Sequence, residues 1–173
     1  HPITSPLSLR EDIFLFAGPV RENITLFNPM SDSKVLGIIE ELGLMPFIDR
    51  MPGGLGMQIV ERGANLSVGE RQFISLSRII LYDPRVIILD EATSSMDPIS
   101  EVLIQNAVQK ARQGRTSIFI AHRLSTILHC DKLIVLNKGV KIEEGSHEEL
   151  LRLGGLYSQL YRVYMREELI ERV

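Results

Sequence analysis

The chain has 173 residues, 45% hydrophobic and 24% charged, the makeup of a globular domain with a real core, which excludes wholesale disorder. A formal net charge of -3, with no Lys/Arg cluster or interleaved aromatic platform, excludes nucleic acid as the expected partner. No apolar run approaches the ~20 residues that cross a bilayer and no charged-then-apolar leader is present, so any membrane role is expected to come through a partner. In chain order, the stretch through Phe14-Leu15-Phe16 reads as strand and ends at the breakers Ala17-Gly18-Pro19. Ser31 then caps a predicted helix whose apolar residues Val35, Leu36, Ile38, Ile39 and Leu42 recur near a period of 3.6, stopping around Gly43. A turn-rich zone, Met51 to Gly56, leads through an irregular loop to a helix from about Gly69 to Tyr82, with Phe73, Ile74, Leu76, Ile79 and Ile80 on a broad buried face.

From Asp83-Pro84 the rhythm becomes strand, helix, strand, so the fold class is α/β. Val86 to Leu89 is a strand, and Ile99 to Arg112 is an amphipathic helix carrying Val102, Leu103, Ala107 and Val108. Ser117 to Ile120 and Leu133 to Leu136 are short strands, a ladder segment lies around Lys141-Ile142 after the turn at Lys138-Gly139, and Gly145 precedes a helical tail. The boundaries expected are 1–18 for the end of an N-terminal core segment, 19–82 for a helical insertion, 83–146 for an α/β core and 147–173 for the tail.

Chemistry concentrates at the ends of the strands. A continuous Val/Ile/Leu run suits a strand buried on both faces of a parallel sheet, and ligands of such sheets bind outside the carboxyl ends of strands. Asp90 and Glu91 close the run Val86-Ile87-Ile88-Leu89 and so stand where phosphate and metal would be. Phosphoryl transfer needs a metal, a positioned water and groups that hold charge on the γ-phosphate. Asp90 suits Mg²⁺, which keeps several waters and takes few carboxylates, and Glu91 suits the general base that orients and deprotonates water. The same pair also fits an ordinary surface turn.

Ser67 and Gly69 open the long helix, where free N–H groups and the positive dipole end favour an anion. Ser67-x-x-Glu70 is equally a capping box, and both readings can hold together. His122 follows the strand Ser117 to Ile120 and so falls at the same sheet edge, within donor reach of a phosphate oxygen, although a lone histidine there also serves as a structural hydrogen-bonder. The four histidines lack the i, i+4 pair of a helical zinc site, and the single Cys130 suits packing in a reducing cytosol.

Taken together, Leu66-Ser67-Val68-Gly69-Glu70-Arg71-Gln72, then Ile87-Ile88-Leu89-Asp90-Glu91-Ala92-Thr93-Ser94-Ser95-Met96-Asp97, then Ile120-Ala121-His122-Arg123-Leu124-Ser125-Thr126 resemble the ABC signature, the Walker B motif with D-loop, and the H-loop of ATP-binding cassette (ABC) ATPases. Order and spacing match over nearly the whole chain. Leu15 to Ile24 resembles the exporter segment after the Q-loop, Glu61-Arg62-Gly63 the exporter X-loop, and Glu144 to Leu150 the exporter ending. The resemblance implies a partial P-loop NTPase (RecA-like) core with a parallel sheet, plus the ABC α-helical subdomain over residues 19–82. It implies that Asp90 holds Mg²⁺, Glu91 is the base, His122 contacts the γ-phosphate, Asp97 is the D-loop carboxylate at a dimer interface, and Ser67 and Gly69 contact ATP bound to the opposite subunit.

On that resemblance the partners are the transmembrane domain of an exporter and a second nucleotide-binding domain, identical or not, and the expected location is the cytoplasmic face of a membrane. The Q-loop glutamine position is held by Glu11, which accepts from water or approaches Mg²⁺ but does not donate as an amide does. Val68 replaces the usual first signature glycine, Glu70 the glutamine, and Val60 the X-loop glycine; Glu70 suits a phosphate site if it turns away to cap its helix. No Gly-x-x-x-x-Gly-Lys-[Ser/Thr] occurs, so the sequence reads as the C-terminal part of a nucleotide-binding domain, inactive by itself. The competing expectation is a degenerate, non-hydrolysing cassette acting as a regulatory or interaction module. A chromosome-maintenance ATPase fits less well, since no coiled-coil heptads occur.

Overall fold

The computed structural model describes residues 7–9, 14–90, 96–121 and 124–171. In chain order these form β1 (Leu7–Leu9), β2 (Gly18–Pro19), α1 (Val20–Thr25), α2 (Asp32–Leu42), α3 (Met45–Arg50), β3 (Gln58–Ile59), α4 (Val68–Tyr82), β4 (Val86–Asp90) and α5 (Pro98–Ala111). They continue with β5 (Thr116–Ile120), α6 (Leu124–Leu128), β6 (Leu133–Asn137), β7 (Val140–Gly145), α7 (His147–Leu153) and α8 (Leu156–Glu171). The chain divides into two compact units, residues 1–120 and 121–173.

In the first unit β4 is the middle strand of a parallel sheet ordered β1-β4-β5, with Leu7 opposite Ile87 on one side and Val86 opposite Thr116 on the other. Parallel neighbours need long crossover connections, and α5 supplies the one from β4 to β5. Burial along β4 is asymmetric: Ile87 and Leu89 are fully buried, whereas Val86 and Ile88 are half-buried. The run Val86 to Leu89 thus reads correctly as a parallel strand, but only one of its faces is closed by the described residues.

Helix α2 begins and ends where its residues dictate. The Ser31 side chain accepts from the Lys34 N–H, and Gly43 closes the helix at φ 76°, a left-handed cap that costs glycine nothing. Helix α4 buries Phe73, Ile74, Leu76 and Ile79 at 1% exposure or less, and full burial of such side chains contributes roughly 1.5–3 kcal/mol each. Phe73 stacks on Phe47 of α3 with ring centres 5.4 Å apart, which joins α3 and α4 in one core.

Three details depart from the sequence reading. Phe14 to Phe16 is not a strand; its backbone is satisfied by side chains, because Asn23 Oδ1 accepts from Phe16 N at 2.9 Å while Asn23 Nδ2 donates back to Phe16 O at 3.0 Å. The breakers Gly18-Pro19 form a two-residue strand against Gln58–Ile59 and lead directly into α1, and α3 occupies Met45–Arg50, for which the sequence reading has no element. In α5 the buried stripe is Ser100, Ile104, Ala107 and Ala111, spaced four, three and four, so Val102 lies off it and is 57% exposed.

In the second unit β6 and β7 form an antiparallel hairpin whose two-residue turn, Lys138-Gly139, has φ of 49° and 78°; this doubly left-handed turn matches strand twist. Ser146 and Glu149 box the start of α7, and the Glu143 carboxylate accepts from Leu156 N (2.5 Å) and Tyr157 N (3.0 Å), supplying the cap that α8 lacks locally. Cys130 is half-buried and its thiol donates to Thr126 O. No described helix is long and apolar enough to cross a membrane.

Candidate functional site

Asp90 is the last residue of β4 and lies in register with Ile120, the last residue of β5. Two parallel strands therefore end level with one another, as a ligand edge of a parallel sheet requires, and the Asp90 side chain is half-exposed there. Glu11, Glu91 and His122, the other residues expected at this edge, lie outside the described residues. Among the described residues no group of three or more His, Cys, Asp or Glu side chains comes together as a preformed metal cluster. A single hard carboxylate oxygen at the strand end matches the donor chemistry of Mg²⁺, which retains its waters and recruits few protein ligands.

Ser67 is the N-cap of α4. Its Oγ accepts from Glu70 N at 3.2 Å, while the Glu70 carboxylate accepts from Ser67 N at 2.7 Å. Glu70 therefore folds back on the helix start, and the unusual carboxylate is spent on capping. Ser67 remains exposed, so capping leaves its hydroxyl open to a second partner.

Gly69, at the second position of α4, is buried, and the reason is contact with another helix. A Cβ built on it would stand 2.9 Å from Ser100 Cβ, 3.2 Å from Ser100 Oγ and 3.3 Å from Phe47 Cε1. Asp97 caps α5 by accepting from Ser100 N at 2.9 Å, with Pro98 at the first helical position, a residue whose missing N–H is harmless there. The bonds from the Ser100 hydroxyl and backbone N–H, and more weakly the charge of Arg50, hold the exposed Asp97 carboxyl below the ordinary carboxylate range. Two of the expected site segments, around Gly69 and around Asp97, are thus joined through one serine.

Sequence reasoning passed over Ser100 and also Arg78. From α4 the Arg78 guanidinium donates to Asn23 O (2.7 Å), Phe14 O (3.0 Å) and Asn23 Oδ1 (3.3 Å), and burial pushes its pKa down to about 10. The segment that follows Glu11 is therefore tied to the same helix that begins at Ser67. The signals were present: Asp97-Pro98-x-Ser100 has the grammar of a helix start, and Arg78 is a cation amid an apolar run.

Residues 8–94, from β1 to just beyond Asp90, match the family model described as ABC transporter. The chain belongs to the ABC transporter family. It is 46% identical over 153 residues to the uncharacterized ABC transporter ATP-binding protein YknV of Bacillus subtilis, covering 88% of this chain and 25% of that protein. It is 41% identical over 154 residues to the probable multidrug resistance ABC transporter ATP-binding/permease protein YheH of the same organism, covering 88% and 23%. Among solved structures it resembles a bacterial Atm1-family ABC exporter with ATP bound, with a TM-score of 0.77 and 35% identity over 90% of this chain and 27% of that one. The ABC chain thus spans about a quarter of the length of these relatives, and its mixed α/β fold, built on a parallel sheet, matches part of the solved exporter over 90% of this chain.

Proposed function

We propose that this chain is the ATP-hydrolysing part of an ABC exporter, working as one half of a nucleotide-sandwiched pair at the cytoplasmic face of a membrane and driving a transmembrane domain. The observation that supports the reading is the level ending of β4 and β5, with Asp90 at the carboxyl end of the central parallel strand in a chain of this family. Asp90 would hold Mg²⁺, the ion that neutralises charge on the phosphates. Glu91 would take the proton of the attacking water, and His122 would donate to the γ-phosphate. Ser67 and the free N–H groups at the start of α4 would meet ATP held by the opposite subunit, and Asp97 would face that subunit at the interface. Residues 19–82 would meet the transmembrane partner.

In the full-length protein Glu91→Gln is expected to lower steady-state phosphate release by ~10²- to 10⁴-fold while ATP binding persists, because an amide keeps the shape but cannot take the proton. Turnover within about threefold of wild type, against a usual loss of ~10²-fold or more, removes Glu91 as the base. Glu11 and the lack of a P-loop sequence in these residues are the grounds for the second reading, a non-hydrolysing cassette acting as a regulatory or interaction module; full-length wild-type protein without ATP turnover would favour it. If Glu11 approaches the metal, Glu11→Gln raises the Mg²⁺ concentration needed for half-maximal turnover, since a hard cation prefers an anionic oxygen to an amide oxygen. The 173-residue chain alone, which contains no P-loop sequence, is expected to show no saturable Mg-ATP binding at micromolar concentration in calorimetry.

A further inference from the structure

We propose that Ser100 is a positioning residue: it locks the start of α4 to the Asp97-capped start of α5, so that a nucleotide engaged at Ser67 and Gly69 sets the position of Asp97 within the same subunit. The inference rests on the functional reading above for what the nucleotide does, and on packing alone for the joint.

The joint is made of atoms with no slack. Gly69 has an ordinary helical conformation, so glycine is not required there by its backbone; it is required because the space its Cβ would fill holds Ser100 Cβ at 2.9 Å. Real side chains do not approach so closely, and an added methyl must push one helix away from the other. Ser100 is 2% exposed, and Phe47, backed by Phe73 at 5.4 Å, closes the other side of the same space. The first turn of α4 therefore has nowhere to retreat. On the far side of the joint, Ser100 holds Asp97 through its backbone N–H, which donates to Asp97 Oδ1 at 2.9 Å. A displacement of Gly69 is passed to Ser100 by contact and from Ser100 to the Asp97 carboxylate by the 2.9 Å hydrogen bond from Ser100 N.

This assigns the burial of Gly69 to contact within the subunit, whereas a purely ligand-facing glycine would need open space for phosphate. The two accounts differ in what rescues a substitution. In the full-length protein, Gly69→Ala is expected to lower ATP turnover at saturating ATP by tenfold or more, since misplacing a positioned group by about 1 Å costs up to ~10²-fold. It is also expected to raise hydrogen exchange of the amides at residues 97–101. Adding Ser100→Gly, which removes the obstructing Cβ, should restore turnover to within about threefold and bring exchange at 97–101 below that of Gly69→Ala alone, although the new glycine keeps it above wild type. Adding Ser100→Ala, which keeps that Cβ, should restore neither.

Rescue by Ser100→Gly in both readouts, with no rescue by Ser100→Ala, supports the joint. Failure of Ser100→Gly to restore either readout overturns it, as does unchanged exchange at 97–101 in Gly69→Ala. If wild-type protein shows no turnover, the ATPase reading fails instead, and the exchange pattern alone decides the joint.

Discussion

The starts of α4 and α7 carry the same local chemistry. Ser67 and Glu70 exchange bonds of 3.2 and 2.7 Å, and Ser146 and Glu149 exchange bonds of 3.3 and 2.8 Å, each pair a complete capping box. What differs is the second helical position and what stands against it. In α4 it is the buried Gly69, pressed on Ser100 and Phe47; in α7 it is the exposed Glu148. Helix α4 then runs 15 residues through the core, whereas α7 stops after 7 with Leu150 as its buried residue. A capping box therefore says where a helix begins and nothing about whether that beginning is a site. The neighbour that packs against it decides.

The strongest way to break this contrast is to enlarge the second position in both helices. Gly69→Leu overpacks a space with no room and is expected to destabilise the first unit by about 1–3 kcal/mol, whereas Glu148→Leu on an exposed turn should stay within about 0.5 kcal/mol. Hydrogen exchange of the first-turn amides of α4 and α7 in the full-length protein reads both. Equal losses in the two helices would mean that Gly69 is not a packing requirement.

The caps themselves should behave alike. Ser67→Ala and Ser146→Ala are each expected to cost about 1 kcal/mol of local stability, since each removes the acceptor for one otherwise orphaned N–H. Only Ser67→Ala should also reduce ATP turnover, because the Ser67 hydroxyl is the one expected to meet nucleotide. A matching loss in Ser146→Ala would show that any frayed helix start slows the protein.

The smallest effect is a pH dependence. Bonds from the Ser146 backbone and then its side chain hold the exposed Glu149 carboxyl below its ordinary value. A depressed folded-state pKa contributes stability that is present above the unfolded carboxylate pKa and disappears as pH falls through the folded value. Exchange protection of the first turn of α7 should therefore decline in acid, and Glu149→Gln should flatten that decline. The Asp97 carboxyl, held low by Ser100, should make the first turn of α5 follow the same course.

Much of this was legible along the chain. Ser31 and Gly43 bracket α2 as their chemistry requires, and the apolar run Val86 to Leu89 forms the central parallel strand ending in Asp90. These are local signals: a side-chain oxygen that caps, a glycine that turns left-handed, a run too apolar for an exposed strand. Short elements were less legible. Helix α1, six residues long, is held by Arg78 reaching across 55 positions to Asn23, and Phe14 to Phe16 reads as strand because nothing in its own residues shows that Asn23, seven positions on, and Arg78, 64 positions from Phe14, satisfy its backbone.

By itself, then, the sequence determined the family, the α/β order and the caps of the longer helices, because periodicity, capping and motif spacing are properties of residues close together in the chain. Only the tertiary structure decided what Gly69 is pressed against, that Ser100 rather than a ligand fills that space, and that the backbone of Phe14 to Phe16 is tied to α4. Packing is settled by side chains 31 to 64 residues apart competing for the same few ångströms, and no local pattern encodes which of them arrives there.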